Sequence, residues 1–134
     1  MENEVYTIPC FIEGNIRDVS VELFEDDLCR LTFNDGKNKL FSEAENYWEA
    51  LLELRKELES RNTKLFCQGC AKNVYPSRMI LDMGDARKAY KLTLGHQALL
   101  KDLVFIFDPC DPDEYASIAE QETFYLAWIQ GEKQ

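Results

Sequence analysis

The chain has 134 residues, 46% of them hydrophobic, and a net charge of −10 from 25 acidic against 15 basic side chains. That length suits one domain that needs no metal or disulfide to fold, and 8 Phe, 6 Tyr and 2 Trp argue against disorder. The charge argues against affinity for nucleic acid or anionic lipid, and no apolar run approaches the ~20 residues of a membrane span.

Residues 5–12 are β-branched and aromatic and predict a strand, with Pro9 placing it at an edge or bulge because it cannot donate to a ladder. Gly14-Asn15 signals a turn. In 16–24, Val19, Val21 and Leu23 alternate with Ser20 and Glu22, and in 28–33, Cys29, Leu31 and Phe33 alternate with Arg30 and Thr32. Both read as strands with one wet face. Asp35-Gly36 is a hairpin signal, and Lys37 to Phe41 returns as a short strand. The chain thus opens as an antiparallel meander.

Over 42–60 the apolar period becomes helical, with Tyr47, Trp48, Leu51, Leu54 and Leu58 on one face and Ser42/Glu45 as a capping box. Lys64 to Cys67 reads as a strand. Ser77 caps a short helix at 78–83, stopped by Gly84. Residues 88–94 alternate as a strand, and 104–107 read as a short apolar strand that a buried helical turn fits nearly as well. Asp111-Pro112-Asp113-Glu114 opens a last helix over 112–130, with Trp48 and Trp128 expected to be buried. The fold expected is a single α+β domain over 1–134, a mostly antiparallel sheet with two long amphipathic helices packed on it.

Little here supports catalysis. His96 is the single histidine, so no two-histidine site exists, and no glycine-rich phosphate loop appears. The five cysteines, at 10, 29, 67, 70 and 110, are expected to be free thiols. Cys67-Gln68-Gly69-Cys70 has the spacing of a zinc or redox pair but lacks a second pair and a thioredoxin-like setting, so it reads as two thiols near a turn, with neither metal, redox chemistry nor cofactor expected. Met1-Glu2-Asn3-Glu4 lacks the basic and apolar regions of a signal peptide, so the expected location is the cytoplasm.

Charge is segregated: net −9 over 1–60, +6 over 61–101 and −7 over 102–134. The basic middle either balances the acidic ends inside the fold or leaves a basic and an acidic face. Two candidate binding sites follow. One is the acidic hairpin turns, Glu25, Asp26, Asp27 and Asp35, which have no other evident task than the liking of turns for Asp, with Glu22 on the wet face of the preceding strand. The other is a polar and basic cluster, Gln68, Lys72, Asn73, Tyr75, Arg78 and Arg87, which suits a phosphate or carboxylate, or else pins a long loop.

Leu65-Phe66-Cys67-Gln68-Gly69, Lys72-Asn73-Val74-Tyr75-Pro76-Ser77, Met79, Asp82-Met83-Gly84 and Arg87-Lys88-Ala89-Tyr90 resemble small bacterial proteins encoded beside polymorphic toxins of the Rhs and contact-dependent-inhibition type. Phe107-Asp108-Pro109 and Ala119-Glu120-Gln121-Glu122 with Phe124-Tyr125 fit the same pattern, so the resemblance covers roughly 40–130. It implies a non-enzymatic immunity protein, monomeric without its toxin, that binds a toxin's C-terminal domain. It supplies no catalytic residues. The expected partner is a basic domain such as a nuclease, which an acidic inhibitor reaches quickly by electrostatic steering. The alternative is a small ligand- or anion-binding domain or enzyme using the 67–91 cluster.

Overall fold

The structure is a computed structural model and describes residues 3–133; the reading of the N-terminus at Met1 and Glu2 lies outside them. The fold is α+β. Four strands form the meander: β1 (Glu4–Ile12), β2 (Asn15–Glu25), β3 (Cys29–Asn34) and β4 (Lys39–Ala44). With the short β5 (Lys64–Leu65) they make an antiparallel sheet in the order β4-β3-β2-β1-β5. A second antiparallel sheet has the order β6-β7-β8, from β6 (Val74–Tyr75), β7 (Lys88–Lys91) and β8 (Leu103–Phe105). Three helices complete the chain: α1 (Tyr47–Ser60), α2 (Arg78–Met83) and α3 (Ile118–Gln130).

Alternation decides the faces. Ile8, Cys10, Ile12, Val19, Val21, Leu23, Cys29, Leu31 and Phe33 all point inward and are buried. Helix α1 joins them with Trp48, Leu51, Leu54 and Leu58, each leucine worth about 2 kcal/mol of burial. The first hairpin turns at Glu13 and Gly14, whose φ angles of 52° and 82° are the positive pair that a tight two-residue loop needs. The turn therefore sits one residue before the Gly14-Asn15 expected, and Asn15 already pairs with Ile12. Pro9 lies on the flank of β1 that faces β5: its carbonyl accepts from Phe66 N at 2.9 Å, so its missing N–H interrupts nothing on the β2 side.

Two helix starts differ from expectation. Residues 42–44 belong to β4, where Ser42 pairs with Leu31 and Ala44 with Cys29. Ser42 is therefore no cap, and its hydroxyl donates to Ala50 O at 2.8 Å. Asn46 caps α1 instead, its side-chain oxygen accepting from Glu49 N at 2.8 Å. The last helix is broken. Asp111 and Glu114 form the capping box, but on a single 3₁₀ turn, Pro112–Glu114. The chain then extends, Tyr115 bridging to Ala71 and Ala116 N donating to Cys70 O at 3.0 Å, and α3 restarts under a second capping box, Ser117 with Glu120.

Smaller boundaries moved too. The strand expected at 64–67 stops at Leu65, that at 88–94 at Lys91, and that at 104–107 runs over Leu103–Phe105. The short helix and its Ser77 cap lie where the sequence places them. Trp48 is buried, whereas Trp128 is half-buried, its indole N–H donating to His96 O at 2.9 Å. Helix α3 is anchored by aromatics: Tyr125 stacks on Tyr75 at 3.8 Å between centroids, and Tyr75 meets Trp48 edge-on at 5.3 Å. Among the described residues no helix is long and apolar enough to cross a membrane.

Candidate functional site

The β2–β3 turn and the β3–β4 turn lie at opposite ends of the sheet, as a meander requires. Their acids have different fates. Asp35 is buried, and its Oδ1 accepts from Lys37 N at 2.8 Å and Asn38 N at 2.6 Å. Arg17 Nη1 donates to its carbonyl at 2.7 Å. Burial alone would raise the Asp35 carboxyl; the Asn38 and Lys37 amides and Arg17 outweigh it and hold it below the usual range. Asp35 thus builds its own turn, which corrects the expectation of a side chain free to reach a partner.

At the other end, acids from distant segments meet around two arginines. Arg30 pairs with Asp26 at 3.2 Å, with Asp27 at 3.5 Å and with Glu43. Arg87 pairs with Asp85 at 2.7 Å, with Glu25 at 3.6 Å and with Glu4, its guanidinium 5.0 Å above the buried Tyr47 ring. Six carboxylates thus face two guanidiniums, leaving about four negative charges unbalanced. Partial burial and the nearby Asp85 charge raise the Glu25 carboxyl above its ordinary value, as crowding of like charge demands.

Asp26 also accepts from Leu28 N at 3.1 Å, so it shapes the turn. Asp27 is far more open, with 87% of its side chain exposed. Glu22 lies on the uncovered face of the sheet and accepts from Asn3 Nδ2 at 3.1 Å. Beside it Phe24, Thr32 and Phe41 line a shallow groove, with Phe41 74% exposed.

The six polar residues of the 67–91 cluster share no common partner among the described residues. Gln68 donates to Pro109 O at 3.1 Å and accepts from Lys91 at 3.1 Å, and Lys91 pairs with Glu114 at 2.7 Å. Asn73 donates to Leu92 O at 2.9 Å and accepts from Leu92 N, closing the start of the second sheet. Tyr75 is packed in the aromatic stack. Lys72 is exposed beside Phe124. Arg78 is 87% exposed and 3.8 Å from Asp82. Arg87 belongs to the acidic sheet end, where it joins Glu25 of the first candidate site.

Two residues to which the sequence assigned no role prove central. Arg55 and Gln121 are each 2% exposed. Arg55 donates to Gln121 Oε1 at 2.7 Å, Ala116 O at 3.0 Å and Gly69 O at 3.2 Å. Gln121 donates to Gly69 O at 2.9 Å and Ala71 O at 2.8 Å. The signal was periodicity: Arg55 follows Leu51 by four on the apolar stripe of α1, and Gln121 lies on the 118-121-125-128 stripe of α3. Among the described residues, no three His, Cys, Asp or Glu side chains group to hold a metal. No protein-family model and no curated protein matches the chain.

Proposed function

We propose that this is a non-enzymatic immunity protein, which binds a cognate toxin domain and neutralises it by protein–protein contact. The observation that supports this reading is the acidic end of the main sheet, where unbalanced negative charge lies beside an uncovered, partly apolar groove. Such a surface suits a basic partner: charge speeds the encounter, and Phe24 and Phe41 offer area to bury. A nuclease domain with a phosphate-binding cleft has that chemistry. Many of the motif residues behind the resemblance serve as framework here, while Lys72, Met79, Asp82 and Lys88 are exposed. Leu65, Phe66, Cys67, Gly69, Val74 and Ala89 are buried, Gln68 bonds Pro109 O and the Lys91 ammonium, and Asn73 donates to Leu92 O. The test is co-expression with the C-terminal domain of the toxin encoded by the adjacent gene. Restored growth and a stable co-purified complex are expected. Continued killing with no complex overturns the proposal.

A further inference from the structure

The turn Cys67-Gln68-Gly69-Cys70 ties together the 106–108 and 116 segments. Gln68 N donates to Asp108 O at 2.7 Å, Gly69 N to Ile106 O at 2.8 Å, and Ala116 N to Cys70 O at 3.0 Å. Within it, Cys67 Sγ lies 3.6 Å from Cys70 Sγ, and both residues are fully buried. Against the same turn sits the Arg55 guanidinium, bonded to Gly69 O. Its other partners are neutral oxygens, its Nε finds no hydrogen-bond partner, and no carboxylate pairs with it among the described residues. A buried cation without a counter-charge costs several kcal/mol, so a nearby group able to become an anion gains from its field.

We propose that Cys67 and Cys70, beside the buried Arg55 guanidinium, are a redox-active dithiol, which a peroxide closes into a disulfide within the turn. The electrostatics divide the pair. Its S–H bond to Cys70, together with burial, holds the Cys67 thiol well above its ordinary value. Burial would raise Cys70 as well, but the S–H donated by Cys67 and the Arg55 charge outweigh it and bring Cys70 down. Glu59 also faces Cys70 and opposes ionisation, and Cys110 faces Cys67. Burial pushes Cys10, Cys29 and Cys110 each up to about 12, so they stay protonated and serve as internal controls.

The chemistry balances in two steps. The Cys70 thiolate attacks one oxygen of hydrogen peroxide, the O–O bond breaks, and Cys70 sulfenic acid and hydroxide form. Cys67 then attacks the Cys70 sulfur, the S–O bond breaks, and the hydroxyl leaves with the Cys67 proton as water. The protein loses two electrons and the peroxide gains them. The sulfurs are buried, so the reaction runs through local opening of the turn, and a peroxide is small enough to enter.

The test exposes the folded protein to hydrogen peroxide and maps its thiols by alkylation and mass spectrometry. A Cys67–Cys70 link reversed by a thiol reductant is expected, with Cys10, Cys29 and Cys110 reacting at least about tenfold more slowly. In Cys67→Ala the second step is blocked, so a dimedone adduct accumulates at Cys70. Arg55→Gln slows Cys70 oxidation by about tenfold. If that variant does not fold, the Cys67→Ala adduct decides, since it leaves Arg55 in place. Oxidation beginning at any of the other three thiols overturns the proposal. So does a pair that stays reduced until the chain is denatured, a Cys67→Ala protein without the adduct, or a folded Arg55→Gln protein that reacts as fast as wild type.

Discussion

Gly69 is required for space. A Cβ there would lie 2.4 Å from Cδ2 of the buried Leu51 and 3.1 Å from Cβ of the buried Ile106. Gly69→Ala is therefore expected to destabilise the protein by about 1–3 kcal/mol, read as a lower urea midpoint at unchanged slope. Asp35 gives a pH signature. Its folded-state pKa is held below the ordinary 3.8, so the unfolded chain binds its proton first. Its stabilisation is complete above about pH 4 and is lost as pH falls through the folded value. The stability gap between wild type and Asp35→Asn should accordingly shrink on acidification below pH ~4, measured by urea unfolding across that range. A gap that widens instead would mean that the carboxylate does not hold the turn.

Caps and pairings decide the elements. Asn46 is buried and satisfies the amide of Glu49, while Glu49 Oε2 accepts from Asn46 Nδ2 at 3.1 Å. Removing this cap in Asn46→Ala should cost about 1 kcal/mol, at the upper end of the capping range if burial strands the Glu49 amide. Ser42→Ala loses only a hydroxyl bond to the Ala50 carbonyl, so it should cost clearly less, and helical content by circular dichroism should hold in both. Equal costs would return Ser42 to the role of cap. Ser42 loses that role because β3 would otherwise present an unpaired edge, and extending β4 to Ala44 satisfies it. In the same way Tyr115 takes an extended conformation because its bridge to Ala71 ties the 3₁₀ turn to the Cys67–Cys70 segment, and helix can resume only after it.

Across the whole molecule, the segregated charge pairs only in part within the fold. Arg87 and Lys91 of the basic middle segment reach Glu4, Glu25 and Glu114 from the acidic ends. About four of the ten excess negative charges lie at the β2–β3 end of the sheet, and the acids there are not equivalent. Asp26 holds the turn and Glu25 is clamped by Arg87, so neutralising either disturbs structure. Asp27 and Glu22 are the ones with charge to offer a partner. The double substitution Glu22→Gln with Asp27→Asn should slow association with the toxin domain several-fold at low salt and flatten its salt dependence. The urea midpoint should barely move, because both acids make only exposed contacts. An unchanged association rate at low salt would place the docking surface elsewhere.

The pattern of residues alone determined the meander, the apolar stripe of α1, the Ser77-capped α2 and the absence of a phosphate loop or histidine pair. These are local, since alternation, helical spacing and capping chemistry act over a few neighbours. Tertiary structure decided where competing local signals were settled. The capping box at Ser42 yielded to a strand ladder, and the helix signal at Asp111 shrank to one turn because Tyr115 was needed at Ala71. It also decided which acids are free, burying Asp35 in its turn and joining Arg87 to Glu25 across 62 residues. The link between Arg55, Gln121 and the cysteine turn was legible only as two polar residues on apolar stripes. Their meaning came from the packing of α1 and α3 on one loop, because a buried guanidinium acquires partners only when distant backbone carbonyls are brought to it.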